Sequence, residues 1–265
     1  MTPSLCLETF FLDQPFLRRM ELAKAVGYRA VSFWSWKDKD LPAIRRASRK
    51  LGLRIACFSG NRRFTLIHPG HRTRLMQEVT QALKIARQLE CPSLCLLSDK
   101  LLEDGRAAPL PAKLSRREKK ESLVEGLRQL SKIASSFQTT LLLEPLNTRV
   151  DHRGCFLSSF AAALEAVQEV GRPNLKILYD IYHMSVMGED VVAHLRKHLR
   201  WIGGVDVADA PGRHEPGTGR IDYAAVFKVL RRLKYRGVIG MEFFPSSDHV
   251  SAAARGLALV AGDRA

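Results

Sequence analysis

Eight short apolar runs of strand-forming character alternate along this chain with longer amphipathic runs, and that alternation leaves few folds open to it. The strand candidates are residues 4–8, 28–33, 53–58, Ser93–Leu97, Thr140–Glu144, 176–180, Ile202–Val207 and 238–243. Helical periodicity fills the intervals at 15–26, Leu41–Leu51, Arg72–Leu89, 116–137, 159–170, 191–199, 223–233 and 247–259. Gly27 and Gly52 stand where the first two helices should stop, at the position that favours a left-handed residue. Between the fourth strand and its helix, residues 98–114 contain Gly105, Pro109 and Pro111 and read as a long loop. Strands separated by helices pair in parallel, and eight such units in order predict closure into a (β/α)8 TIM barrel. An open, doubly wound sheet is the alternative. It would place a glycine-rich phosphate loop after the first strand, and Glu-Thr-Phe-Phe-Leu-Asp there has no glycine. The 265 residues suit one barrel, and no Gly/Ser-rich or Pro-rich linker divides them, so a single domain is expected.

Five cysteines, Cys6, Cys57, Cys91, Cys95 and Cys155, are odd in number, loosely spaced and mostly set in apolar runs. They predict free thiols and a reducing, cytoplasmic setting rather than a disulfide framework. Cys91 and Cys95 have no second Cys or His pair beside them, so buried strand cysteines are expected and not a zinc site. The N-terminus lacks the pattern of a secretory signal, and no run is long and apolar enough for a membrane span. The net charge of +15 raises nucleic acid as a partner. Its basic clusters, such as Arg45-Arg46 and Arg231-Arg232, fall in segments read as outer helices, where a solvated surface accounts for them.

Active sites of such barrels lie at the C-terminal ends of the strands, and in this sequence those ends carry acids. The fifth strand ends at Glu144 and the sixth at Asp180 with His183 just beyond. The seventh holds Asp206 with Asp209 behind it, and the eighth runs into Glu242; Glu8 ends the first. Four carboxylates on adjacent strands repel one another unless protons or a cation neutralise them. One divalent metal ion held by Glu144, Asp180, Asp206 and Glu242 is the simplest solution, and oxygen ligands favour Mg²⁺ or Mn²⁺. The glycine- and proline-rich stretch after the seventh strand offers Arg213, which can clamp a carboxylate or phosphate, or can pair with Glu215 beside it.

Together the stretches EPLNTRVDHRG, NLKILYDIYHM, ADAPGRHEPGTG and GVIGMEF resemble the xylose-isomerase-like TIM-barrel superfamily, most closely its hydroxypyruvate isomerase-like proteins, over nearly the whole chain. The resemblance implies one Mn²⁺ or Mg²⁺ ion with ligands Glu144, Asp180, Asp206 and Glu242. It makes Glu144 and Glu242 the proton-transfer pair and puts His183 and Arg213 at the substrate; Glu215, beside Arg213 in the same loop, is expected there too. It also implies a small hydroxy-carbonyl substrate, isomerised or epimerised through an enediolate, and allows a homo-oligomer. Asp206 stands where relatives carry a neutral ligand, and Gly204, Ser185, Arg220, Phe244 and Ser32 depart from the family pattern as well. Two other readings stay open. An endonuclease IV-like DNA-repair nuclease needs three zinc ions and late histidines that this chain lacks. A non-catalytic barrel would keep the fold and lose the chemistry.

Overall fold

The computed structural model describes residues 1–262. Its strands are β1 (Thr2–Cys6), β2 (Ala30–Phe33), β3 (Arg54–Ser59), β4 (Ser93–Leu97), β5 (Thr140–Glu144), β6 (Leu175–Asp180), β7 (Ile202–Val207) and β8 (Val238–Met241). Each pairs in parallel with its neighbours, and β1 pairs with β8, so the sheet closes in sequence order. This is the single eight-stranded α/β barrel that the alternation predicts.

Helices α1 (Phe16–Val26), α2 (Leu41–Leu51), α3 (Arg72–Leu89), α4 (Arg116–Ser135), α5 (Phe160–Val170), α6 (Ile181–Val186), α7 (Val191–His198), α8 (Tyr223–Arg232) and α9 (His249–Ala261) follow the strands. Local chemistry sets many of their ends. Gly27 and Gly52 take left-handed φ of 115° and 63° and stop α1 and α2. Ser115 and Glu118 form a reciprocal capping box at the start of α4. Asp40, Asp190, Asp222 and Asp248 each accept a backbone N–H at a helix N-terminus. No helix among the described residues is long and apolar enough to cross a membrane.

Strand alternation sorts the core into two layers. Leu141, Leu143, Ile177, Tyr179, Val205, Val207, Ile239 and Met241 pack outward against the helices in one large cluster. Leu142 and Leu178, one position along, join Cys95 and Leu97 in a smaller cluster inside the barrel. The next residues of that inward row are Glu144 and Asp180, so the pleat that buries the leucines also points the acids at the barrel mouth.

Two sequence expectations change. The first strand stops at Cys6. Glu8 lies in the turn beyond it, where it accepts from Trp34 N at 2.6 Å and pairs with Lys39 at 2.5 Å, so it ties β1 to the loop after β2. The short helix α6 was not expected; it follows β6 directly, with Asp180 as its cap.

Candidate active site

Parallel register brings the acids of the last four strands to one level. Asp180 pairs with Asp206, Asp206 with Gly240, and Glu144 ends the ladder of β5 on β4. Glu242 lies one residue past β8, and its N–H donates to Val207 O at 3.3 Å, which extends the ladder by one step. Glu144, Asp206, Glu242, His183 and Arg213 line one cavity of about 520 Å³. That cavity reaches down to Ser93 and Val238, the first residues of β4 and β8. Gly204 and Gly240 put no side chains into that part of the barrel, which barrels of this class ordinarily fill. Asp206 leans over Gly240, where an added Cβ would sit 2.0 Å from its Oδ1.

Asp180 divides its two oxygens. Oδ1 accepts His183 N–H at 3.0 Å and caps α6. Oδ2 is buried without a hydrogen-bond partner, 3.7 Å from His183 Nε2. One oxygen each of Glu144 and Asp180 and a ring nitrogen of His183 lie within 4.8 Å of one another. Burial and the mutual repulsion of the acids hold the carboxyl groups of Glu144 and Asp206 well above the ordinary carboxylate range. Burial pushes Asp180 up to about 7, against the pull of Arg213. An unpartnered buried carboxylate oxygen among crowded acids fits a divalent cation, which supplies the missing partner and removes the repulsion. Glu144 and Asp180 are the carboxylates best placed to hold such an ion, with Asp206 and Glu242 beside Glu144 on the cavity wall.

Arg213 is the cation of this ring. Its Nη2 donates to Glu242 Oε1 at 2.9 Å, not to Glu215. Its guanidinium lies 5.4 Å from the Tyr182 ring centre and 5.9 Å from that of Phe244. Its Nε is buried and unpartnered, and its backbone sits at φ 56°, a left-handed conformation that costs a non-glycine residue about 1–3 kcal/mol. An arginine held in strain against Glu242 sets a positive charge at the cavity wall.

The structure takes Glu215 away from this group. Its carboxylate accepts from Ser246 N at 2.9 Å, from the Ser246 and Ser247 hydroxyls, and from Arg255. These bonds fasten the loop after β7 to the segment that leads into α9, and Glu215 does not line the cavity. Asp209 is similarly occupied, accepting from the backbone N–H groups of Ala210, Gly217 and Ile221. Cys91 and Cys95 do not form a pair. Cys91 joins the outer core, and Cys95 faces inward with its Sγ 3.1 Å from Glu144 Oε2.

Sequence reasoning missed Asn147, Asp151, His152 and Tyr182. Asn147 Nδ2 donates to Asp151 Oδ2 at 2.6 Å and approaches His183 Nδ1 at 2.7 Å, while Tyr182 OH donates to Asp151 Oδ2 at 2.9 Å. His152 packs against His183 with ring centres 5.1 Å apart. All four stand inside quoted motifs, EPLNTRVDHRG and NLKILYDIYHM, but spacing alone does not distinguish a supporting residue from its neighbours.

Residues 20–260 match the family described as xylose isomerase-like TIM barrel. The chain belongs to that family. It is 32% identical to the hydroxypyruvate isomerase of Escherichia coli K12 over 248 residues, covering 91% of this chain and 92% of that one. It is 29% identical to the 2-oxo-tetronate isomerase of Cupriavidus necator over 247 residues, covering 90% and 91%. Among solved structures, an AP endonuclease family 2 protein from Brucella melitensis superposes with a TM-score of 0.87 at 30% identity, covering 100% of this chain and 99% of that one.

Proposed function

We propose that this member of the family is a divalent-metal-dependent isomerase or epimerase that moves a proton on a small hydroxy-carbonyl compound, hydroxypyruvate-like or ketose-like. The observation that carries the reading is the convergence of Glu144, Asp180, Asp206 and Glu242 at one barrel mouth, with Asp180 Oδ2 buried and unpartnered. The names of the isomerase relatives point the same way.

Glu144, Asp180, Asp206 and Glu242 would hold the ion, Mn²⁺ or Mg²⁺ by their oxygen chemistry. When bound, it supplies a Lewis acid for the carbonyl and hydroxyl oxygens of the substrate. Glu144 and Glu242 come from strands three steps apart around an eight-stranded ring and approach the substrate from different sides. One takes the proton from the carbon next to the carbonyl, and the C–H electron pair forms the C=C bond of an enediolate. Return of a proton to the neighbouring carbon isomerises the compound, and return to the same carbon from the other face epimerises it. Arg213 counters the charge of Glu242 and sets a cationic side chain on the cavity wall beside the substrate. The apolar wall of Leu97, Leu142 and Leu178 keeps bulk water from the reacting carbon.

The test is exchange of the substrate α-proton with deuterated water, using hydroxypyruvate, tartronate semialdehyde and a panel of ketoses on Mn²⁺-loaded protein. Glu144→Gln and Glu242→Gln should each slow exchange by about 10²–10⁴-fold, the usual contribution of a general acid–base group, while the metal stays bound. Near wild-type exchange in either metal-loaded variant contradicts the proton-transfer pair. No exchange with any of these compounds favours a barrel that has lost the chemistry.

A further inference from the structure

The cluster of Glu144, Asp180 and His183 makes His183 look like a third metal ligand, and the hydrogen bonds behind the ring decide whether it can be one. A neutral imidazole ligates only through a nitrogen without hydrogen. The nitrogen facing the acids is Nε2, 3.9 Å from Glu144 Oε1 and 3.7 Å from Asp180 Oδ2. The other nitrogen, Nδ1, meets the side-chain amide of Asn147 at 2.7 Å. Which tautomer His183 adopts therefore depends on which end of that amide faces it.

Three contacts fix the amide. Asn147 Oδ1 accepts the backbone N–H groups of Val150 at 3.0 Å and Asp151 at 3.1 Å. Its Nδ2 donates to the carboxylate of Asp151 at 2.6 Å, and Tyr182 OH holds that carboxylate at 2.9 Å. Turning the amide over would aim an NH₂ at two N–H groups and an oxygen at a carboxylate, losing each of these bonds in a fully buried site. The amide therefore presents N–H to His183, and Nδ1 must accept. A protonated ring would carry hydrogen on both nitrogens, so a ring whose Nδ1 accepts is neutral. Its single hydrogen is then on Nε2.

We propose that Asn147 is a positioning residue that locks His183 as the Nε2–H tautomer, so that the ring presents a hydrogen-bond donor to a substrate oxygen above the carboxylates and is not a metal ligand. Neither carboxylate oxygen is close enough to take that hydrogen, since 3.7 and 3.9 Å exceed hydrogen-bond range. The donor is thus left for a third group. Its substrate role rests on the proposed isomerase reading, whereas the tautomer and the exclusion from the metal do not.

The test separates the two. Long-range ¹H–¹⁵N correlation spectra of the full-length, ¹⁵N-labelled, metal-free protein report the tautomer directly, with His183 assigned from its absence in His183→Asn. Wild type should show His183 protonated at Nε2. Asn147→Asp replaces the donor by an acceptor and should move the hydrogen to Nδ1, and Asn147→Leu should leave a mixture. Mn²⁺ titration of His183→Asn should change the dissociation constant by less than about 10-fold, the lower edge of what removing even a supporting residue costs. A wild-type ring protonated at Nδ1 overturns the proposal. So does an Asn147→Asp spectrum that keeps the Nε2–H form, or a loss of Mn²⁺ affinity beyond about 100-fold in His183→Asn. None of these readouts needs turnover, so failure to find a substrate leaves them intact.

Discussion

Glu215 shows how far a single residue can be read from its neighbours in sequence. The loop that contains it carries a family motif, so a role at the substrate was the natural expectation. Its partners Ser246, Ser247 and Arg255 lie 31 to 40 residues away, and only the folded chain brings them to it. Burial would raise its carboxyl group, but the hydrogen bonds from Ser246 and Arg255 win and hold it at about 2. The unfolded value is near 4.3, so folded Glu215 binds its proton less tightly than unfolded Glu215. Its stabilising contribution is therefore complete above about pH 5 and is lost as the pH falls through the folded value near 2. Glu215→Gln should lower the urea midpoint at pH 7, and the gap to wild type should narrow steadily below pH 4. A gap that stays constant from pH 7 to pH 3 would show that the charge of Glu215 does not contribute. Arg213 was legible as a cavity residue because it sits in the same motif. Its bond to Glu242, 29 residues on, was not.

At the scale of elements, strands and caps were readable wherever a local rule decided them. Ser93–Leu97, Thr140–Glu144 and Ile202–Val207 are found as expected, because each is a short apolar run bounded by breakers. The capping box of α4 also rests on a local signature, Ser115 with Glu118, although it was not singled out from the sequence. Ser115→Ala should cost about 1 kcal/mol. Calorimetry should then show a fall in melting temperature of about 2–4 °C, and no fall would mean that the cap is redundant. Helix α6 was missed because six residues give too little periodicity, and because its cap, Asp180, already ended a strand. Glu8 looked like a fifth strand-end acid because its burial and its tie to Lys39 depend on where β2 packs. The close approach at Gly240 was equally hidden. Gly240→Ala should displace the Asp206 carboxylate, leaving the far-ultraviolet circular dichroism unchanged and weakening Mn²⁺ binding. Unchanged affinity would remove Asp206 from the ligand set.

Across the whole molecule, eight repeated units implied the barrel, and the pairing of β1 with β8 completes it. The same view locates the +15 charge. The loops around the mouth hold more acidic than basic residues, whereas α2 carries Arg45, Arg46, Arg49 and Lys50 with no acid. The basic excess therefore covers the outer helices and not the entrance to the site. Duplex DNA should bind weakly, with affinity falling steeply as salt rises. Cleavage of abasic DNA by the purified protein, abolished in Glu144→Gln, would contradict this and replace the isomerase reading with a nuclease. The central claim is that the strand-end acids hold one divalent ion, and metal titration of the chelated protein with elemental analysis tests it most directly. The account predicts one Mn²⁺ or Mg²⁺ per chain, lost in Asp180→Asn; three zinc ions per chain, or no bound metal at all, would contradict it.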